Sequence, residues 1–358
     1  MKNTYFTPGP AELYPTFEKH LQIALNEQIG SISHRSQRFR DLYKHTDRQL
    51  RILLNMPATH GIFFTGSASE VWERLLLNCV EHESFHLVNG SFSRKFSDYA
   101  QSLQKHAHIA EKPFGEGFDM AEIDVPEYAE LVCLTHNETS AGVQMRPVEM
   151  HKLKRKYPKK LFCVDMVSSA PYPDLDFSLI DSAFFSVQKA FGMPAGLGVW
   201  IANEACLAKA EQLQKNESLT IGAHHTLPVL WKNYQTFETP ATPNVLFIYL
   251  LGKIAEDFNT IGIETIRKQT EEKARMLYRF MESDDRYSPF VTEERHRSQT
   301  VLVANTKAPA KDIMATAKEA GMIVGSGYGK EKDSQIRIAN FPAVSVEQTA
   351  QLIEVLKK

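Results

Sequence analysis

Ser182 to Ile201 reads S-A-F-F-S-V-Q-K-A-F-G-M-P-A-G-L-G-V-W-I. Two apolar, aromatic-rich runs, Ala183 to Val187 and Leu197 to Ile201, have the length and composition of buried strands. Between them stand Gln188 and Lys189, then a turn containing Gly192, Pro194 and Gly196. A lysine at the end of a buried strand is costly, because desolvation disfavours its ammonium form and lowers its pKa. Such a lysine is a candidate Schiff-base nucleophile. The position equally suits a lysine that snorkels to the surface from a strand end, and this stretch alone leaves both readings open.

A second stretch bears on the choice. Leu161-Phe162-Cys163-Val164-Asp165 is another apolar run, and it ends in a carboxylate. A lysine at one strand end and an aspartate at another are the parts that pyridoxal phosphate needs: the lysine holds its aldehyde and the aspartate pairs with its pyridinium nitrogen. By itself Asp165 also fits a helix cap or a turn.

The 358 residues suffice for one large domain or two ordinary ones. The formal net charge of −2 and the lack of a basic stripe argue against nucleic acid as a partner. No apolar run is long enough to span a bilayer, and the first ten residues lack a signal-peptide core, so a cytoplasmic location is the expectation. Of four cysteines, Cys133 and Cys163 lie inside apolar runs and read as buried thiols. His82 and His86 have i, i+4 spacing, but His86 falls in a strand-like run and no second cluster supports a metal, so none is expected.

Residues 1–15 form a Pro- and Gly-rich extended arm. Ser33-His34-Arg35-Ser36 follows, just ahead of a helical pattern through Phe39, Leu42, Tyr43, Leu50 and Leu53. The His34-Arg35 pair suits an anionic substrate group or a solvated surface. Gly61 to Phe64 reads as a strand, followed by a turn at Ser67-Ala68-Ser69 and a helix through Val71, Leu75 and Leu76. A strand, a small-residue turn and a helix N-terminus suit a phosphate, through backbone N–H groups and the helix dipole; an ordinary N-cap at Ser67 or Ser69 fits as well. Short strands at Phe85–Val88 and Leu131–Leu134 precede Phe92 and Thr139. Strand, polar end and helix repeat in this way, which argues for an α/β domain with a mainly parallel sheet. Ligands bind beyond the C-terminal strand ends of such sheets, and Ser67, Phe92, Thr139, Asp165 and Lys189 all follow apolar runs there. After a Pro/Thr-rich loop at 236–244, a long helical stretch runs from Val245 to about Met281, broken near Gly262, and the remainder alternates strand and helix. Gly325-Ser326-Gly327-Tyr328-Gly329 reads as a flexible turn. Arg337 interrupts the apolar Ile336-Arg337-Ile338, so it needs an anionic partner: a substrate carboxylate, a structural ion pair, or water at a sheet edge.

Seven blocks in order resemble the class V (fold type I) aminotransferases over essentially the whole chain: F-T-P-G-P-A at 6–11, S-H-R-S at 33–36, T-H-N-E-T-S-A-G at 135–142, V-D-M-V-S-S at 164–169, S-V-Q-K-A-F-G-M-P-A-G at 186–196, T-P-A-T-P at 239–243 and I-R-I-A-N-F at 336–341. The resemblance implies a large pyridoxal-phosphate-binding α/β domain over 16–250, its mainly parallel sheet sandwiched by helices. It also implies a smaller α+β domain made of 1–15 and 251–358. It implies a homodimer with sites at the interface, acting on small amino-acid and oxo-acid substrates. Lys189 would be the catalytic lysine and Asp165 the partner of the ring nitrogen. Phe92 would stack on the ring, Thr139 would meet its phenolic oxygen, and Ser67, Ala68 and Gln188 would hold the 5′-phosphate together with Thr239 of the second subunit. Arg337 would bind the α-carboxylate, and His34 and Arg35 the side-chain anion. A desulfurase-like lyase fits less well, since Gln188 rather than His precedes the lysine and no cysteine follows Cys206. A scaffold without activity would not need Lys189, Asp165 and Arg337 together, and a nucleotide-binding protein would have to use the glycines at 325–329.

Overall fold

The computed structural model describes residues 3–358. In chain order the elements begin β1 (Thr4–Phe6), α1 (Phe17–Asn26), α2 (Gln37–Leu53), β2 (His60–Thr65), α3 (Ala68–Cys79), β3 (Glu83–Val88), α4 (Ser91–Ser102), β4 (His106–Glu111) and β5 (Leu131–Thr135). They continue β6 (Asn137–Glu138), β7 (Val143–Gln144), α5 (Pro147–Lys156), β8 (Leu161–Asp165), β9 (Ser182–Ser186), β10 (Gly198–Asn203), α6 (Glu204–Gln214), α7 (Leu227–Tyr234) and α8 (Val245–Ile261). The last third holds α9 (Ile263–Ser283), β11 (Tyr287–Pro289), β12 (Val301–Thr306), α10 (Ala310–Glu319), β13 (Met322–Ser326), β14 (Gln335–Ala339) and α11 (Val346–Leu356).

A seven-stranded sheet, ordered β2-β10-β9-β8-β5-β3-β4, organises the larger part. Only β10 runs against its neighbours β2 and β9; the other pairings are parallel. Its strands are apolar on both sides because helices cover both faces. Alternate residues show it: Phe63, Cys133, Cys163, Phe184 and Trp200 pack with α3, α4, α6 and α7. Their neighbours Ile62, Phe64, Val132, Phe162, Val164, Phe185 and Val199 pack on the opposite face with α1, α2, α5 and α8. The C-terminal ends of β2, β3, β5, β8 and β9 therefore share one edge, and the residues that follow them converge there.

The second sheet, β1-β13-β14-β12-β11, is packed by α9, α10 and α11. Its first strand comes from the far N-terminus, where Thr4–Phe6 pairs in parallel with Met322–Val324. The N-terminal arm expected to be extended is thus in part a sheet strand. One further reading changes. The Gly325–Gly329 stretch is not a turn throughout, since Gly325 and Ser326 close β13. Helix α8 runs unbroken across residue 250, and its Ile248, Leu251, Ala255 and Phe258 belong to the core of the large sheet. The break in the long helical stretch falls at Gly262, as its φ of +87° allows. No helix among the described residues is long and apolar enough to cross a membrane.

Candidate active site

Lys189 stands three residues beyond β9, half-buried, at the shared sheet edge. Its Nζ donates to the carbonyl of Pro8. The N-terminal arm lies directly over it, with Ala11 N donating to Gln188 O at 3.1 Å and Tyr14 N to Gly192 O at 2.8 Å. Gly9 makes this approach possible: its φ is +134°, and a Cβ there would lie 2.2 Å from the lysine Nζ. Burial is the main cause that lowers the Lys189 pKa to about 8, and the Arg337 guanidinium adds to it while Asp165 opposes it. The snorkelling alternative is therefore not what the fold builds.

Asp165 closes β8 and is 4% exposed. One oxygen, Oδ1, accepts from Val167 N at 2.9 Å, and Oδ2 accepts from the Trp72 indole Nε1 at 3.2 Å. Burial raises its pKa to about 7; the two N–H donors pull it down, Glu138 pushes it up and Lys189 pulls it down. Thr139 follows β5 and its hydroxyl donates to Ser168 Oγ at 2.6 Å, which Asn137 also contacts at 2.8 Å. Arg337 lies in the middle of β14, with Nε on Ser326 O at 2.8 Å and one Nη on Thr139 O at 3.3 Å. The guanidinium also lies 5.3 Å from the Tyr328 ring, and burial lowers its pKa. Among the described residues Arg337 makes no ion pair, and the residue that the sequence left open between three readings faces the edge where Lys189 and Thr139 stand.

Ser67 is the N-cap of α3, its hydroxyl accepting from Glu70 N at 3.4 Å. Ala68 N donates to Ser186 Oγ at 3.0 Å, which ties the turn to β9. Gly198 is needed beside it, since a Cβ at that position would come within 2.4 Å of the Ser67 carbonyl carbon. The capping reading is what the hydrogen bonds show, and the same turn stands at a helix N-terminus, where backbone donors favour an anion.

Phe92 lies in the first turn of α4, and its ring centroid lies 5.4 Å from that of Tyr328. Its placement depends on Glu138, which sequence reasoning passed over. Glu138 is fully buried and accepts from Phe92 N (3.3 Å), Ser93 N (2.8 Å), Ser93 Oγ (2.9 Å), Ser140 N (3.1 Å) and Ser140 Oγ (2.6 Å). It supplies the cap that Gly90, at the N-cap of α4, has no side chain to provide. Trp72 was also missed. An acid buried within a polar loop, and a tryptophan on the helix that follows a candidate phosphate turn, were the available signals.

The remaining candidates form a second group. Arg35 is exposed and donates to Glu238 Oε2 at 2.9 Å and to Pro240 O at 3.4 Å. Arg40 holds the other oxygen, with Nε on Glu238 Oε1 at 2.9 Å. The Arg40 guanidinium, with that of Arg35, keeps Glu238 below the usual carboxylate range. Thr239 lies between these contacts, its hydroxyl on Ala241 O at 2.8 Å. Arg35 and Thr239, 204 residues apart, are thus joined through Glu238, while their bonds reach neither Lys189 nor Asp165 of the same chain. His34 is half-buried beside Arg35, and Gln188 is half-buried beside the lysine. A separate cleft of about 890 Å³ contains none of these residues, and its arginines 146, 267, 295 and 297 are balanced by Asp174, Asp176, Glu271 and Glu294.

The model of the class-V aminotransferase family matches residues 7–332. A crystal structure of a phosphoserine aminotransferase from Cytophaga hutchinsonii ATCC 33406 is 47% identical, covers 99% of this chain and 98% of its own, and superposes with a TM-score of 0.97. The phosphoserine aminotransferase of Rhodococcus opacus (strain B4) is 25% identical over 357 residues, 97% of this chain and 92% of that protein. An alanine–glyoxylate aminotransferase from Nostoc sp., 19% identical over 100% of this chain and 95% of its own, shares the fold with a TM-score of 0.85. The chain belongs to the class-V aminotransferase family, with the fold of the type I enzymes. It is an aminotransferase.

Proposed function

We propose that this aminotransferase exchanges the amino group between glutamate and phosphoserine: 3-phosphohydroxypyruvate and glutamate give phosphoserine and 2-oxoglutarate, and the reverse. The observation that carries the reading is the 47% identity, over 99% of the chain, to a phosphoserine aminotransferase.

The cofactor is pyridoxal phosphate, and the residues present fit it. Asp165 is a buried carboxylate that, among the described residues, accepts from two neutral N–H groups, which leaves it suited to a cationic ring nitrogen. Among the described residues Lys189 has no carboxylate partner, and Gly9 and Gly198 keep Cβ atoms out of the space around Lys189 and the α3 turn. When bound, pyridoxal phosphate supplies an aldehyde for the amine and a protonated ring that draws electrons from the substrate α-carbon. Ser67 and Ala68, at the N-terminus of α3, hold the 5′-phosphate, with Gln188 beside it. Phe92 covers the ring face and Thr139 meets the phenolic oxygen. Asp165 keeps the ring nitrogen protonated. With the cofactor bound, the Lys189 Nζ would be the base that takes and moves the proton of the substrate α-carbon. Arg337 grips the α-carboxylate with the face its two carbonyl contacts leave free.

The chain acts as a homodimer in this reading. Supporting it, Arg35 and Thr239 form one unit through Glu238 and are not joined to Lys189 in their own chain. Each protomer presents His34 and Arg35 to the substrate phosphate, and Thr239 to the cofactor phosphate, of the other.

The test is the absorbance change of the loaded enzyme on adding single amino donors. Phosphoserine and glutamate are expected to convert the cofactor to its amine form rapidly, and alanine and serine slowly. Conversion by alanine or serine with none by phosphoserine would move the substrate to that of the alanine–glyoxylate aminotransferases and contradict the proposal.

A further inference from the structure

We infer that Trp72 is a positioning residue for the cofactor ring, acting through its indole N–H on the Asp165 carboxylate. The inference rests on the ring-nitrogen role proposed for Asp165. Trp72 lies one turn into α3, the helix whose first residues form the phosphate turn, and is 4% exposed. Its Nε1 donates to Asp165 Oδ2 at 3.2 Å. The other oxygen is held by Val167 N at 2.9 Å, so the carboxylate is fixed at both ends. The indole is itself immobile. Phe96 stacks on it with centroids 5.7 Å apart and planes 17° apart, and Tyr99 meets it edge-on at 5.4 Å. Both belong to α4, whose first turn carries Phe92. One side chain therefore ties the phosphate-binding helix, the ring-stacking helix and the acid at the end of β8 into a single frame.

The arrangement answers an electrostatic problem. Asp165 must be ionised to hold a protonated ring nitrogen, yet burial drives it toward the neutral acid. The groups that face it are Glu138, which disfavours the charge, Lys189, which favours it, and the two N–H donors from Val167 and Trp72. Of the two donors only the indole belongs to a side chain that substitution can alter, and it is the one supplied by a different element.

The test uses the full-length holoenzyme with Trp72→Phe, which keeps an aromatic ring between Phe96 and Tyr99 but lacks the N–H. A second variant carries 3-benzothienylalanine at position 72, the indole shape with sulfur in place of the N–H, so that a packing defect cannot imitate the effect. Pyridoxal phosphate affinity is measured by equilibrium titration between pH 6 and 9, and Asp165→Asn is the reference. Both Trp72 variants are expected to bind the cofactor about ten- to a hundred-fold more weakly near neutral pH, the loss of one hydrogen bond to a charged group. The deficit is expected to shrink toward pH 9, where the carboxyl ionises without help; a purely structural role gives a deficit that does not depend on pH. Unchanged affinity of the benzothienylalanine enzyme, with Asp165→Asn impaired, would overturn the role of Trp72 alone. Unchanged affinity of Asp165→Asn would overturn the reading of Asp165 on which it rests.

Discussion

At the scale of single residues, two lysines whose pKa burial lowers to about 8 sit in different surroundings. Lys189 releases its proton at about 8 and lies at the sheet edge among Arg337, Asp165 and Pro8. Only the neutral amine can add to an aldehyde, so the rate at which the cofactor-free protein captures pyridoxal phosphate should rise with pH through about 8 and level off above it. Stopped-flow absorbance measures this, and a rate independent of pH would contradict it. Lys273, 2% exposed, donates instead to the carbonyls of Phe341 at 2.9 Å and Val344 at 2.7 Å. It also titrates at about 8, below its ordinary 10.5, because of burial. Between those values the unfolded chain binds more protons than the folded one, so this lysine makes stability rise with pH over that window. Lys273→Met leaves two buried carbonyls unmet and should cost about 2–4 kcal/mol in urea unfolding, and the variant should lose that part of the pH dependence. Lys189 was legible in the sequence because it broke an apolar, strand-like run. Lys273 was not, since a lysine on an amphipathic helix gives no sign of pointing inward.

At the scale of elements, the site is held by how helices begin. Helix α3 starts on the Ser67 cap and α4 on the carboxylate of Glu138, which comes from β6 rather than from α4 itself. Glu138→Gln would place an amide N–H₂ against N–H donors, leave part of the cap unmade and destabilise the protein by about 2–4 kcal/mol. It should also weaken cofactor binding, because Phe92 N is one of its partners; chemical denaturation and cofactor titration check the two effects, and a variant unchanged in both would refute the capping account. The repeated strands and the long helices α2, α8 and α9 were readable from their apolar periodicity. Helix α4 was not, because S-F-S-R-K-F-S-D-Y-A-Q-S is rich in serine and charge and takes its N-terminal cap from elsewhere in the chain. The parallel pairing of Thr4–Phe6 with β13 was hidden for a similar reason: a three-residue strand is specified by a partner more than 300 residues away.

At the scale of the whole molecule, the sequence blocks appear in the fold as two groups, one around Lys189 and one around Glu238. Single substitutions Lys189→Ala and Arg35→Ala should each remove most activity. Mixed and reassembled as dimers, they should regain about a quarter of the wild-type rate, since half of the dimers are hybrids with one intact site when sites are built across the two-fold interface. No recovery on mixing would place Arg35 in the same chain as the lysine it serves. Block order and spacing made the class legible, but the separation of Arg35 from Lys189 was not, because sequence order carries no statement of which copy a residue serves. The role proposed for Lys189, to hold the cofactor, is open to one direct measurement. The loaded enzyme is treated with borohydride to fix the lysine–cofactor bond, digested and mapped by mass spectrometry. The pyridoxyl group is expected on Lys189 alone; its appearance on Lys273 or another lysine, or its absence from every peptide, would contradict the account.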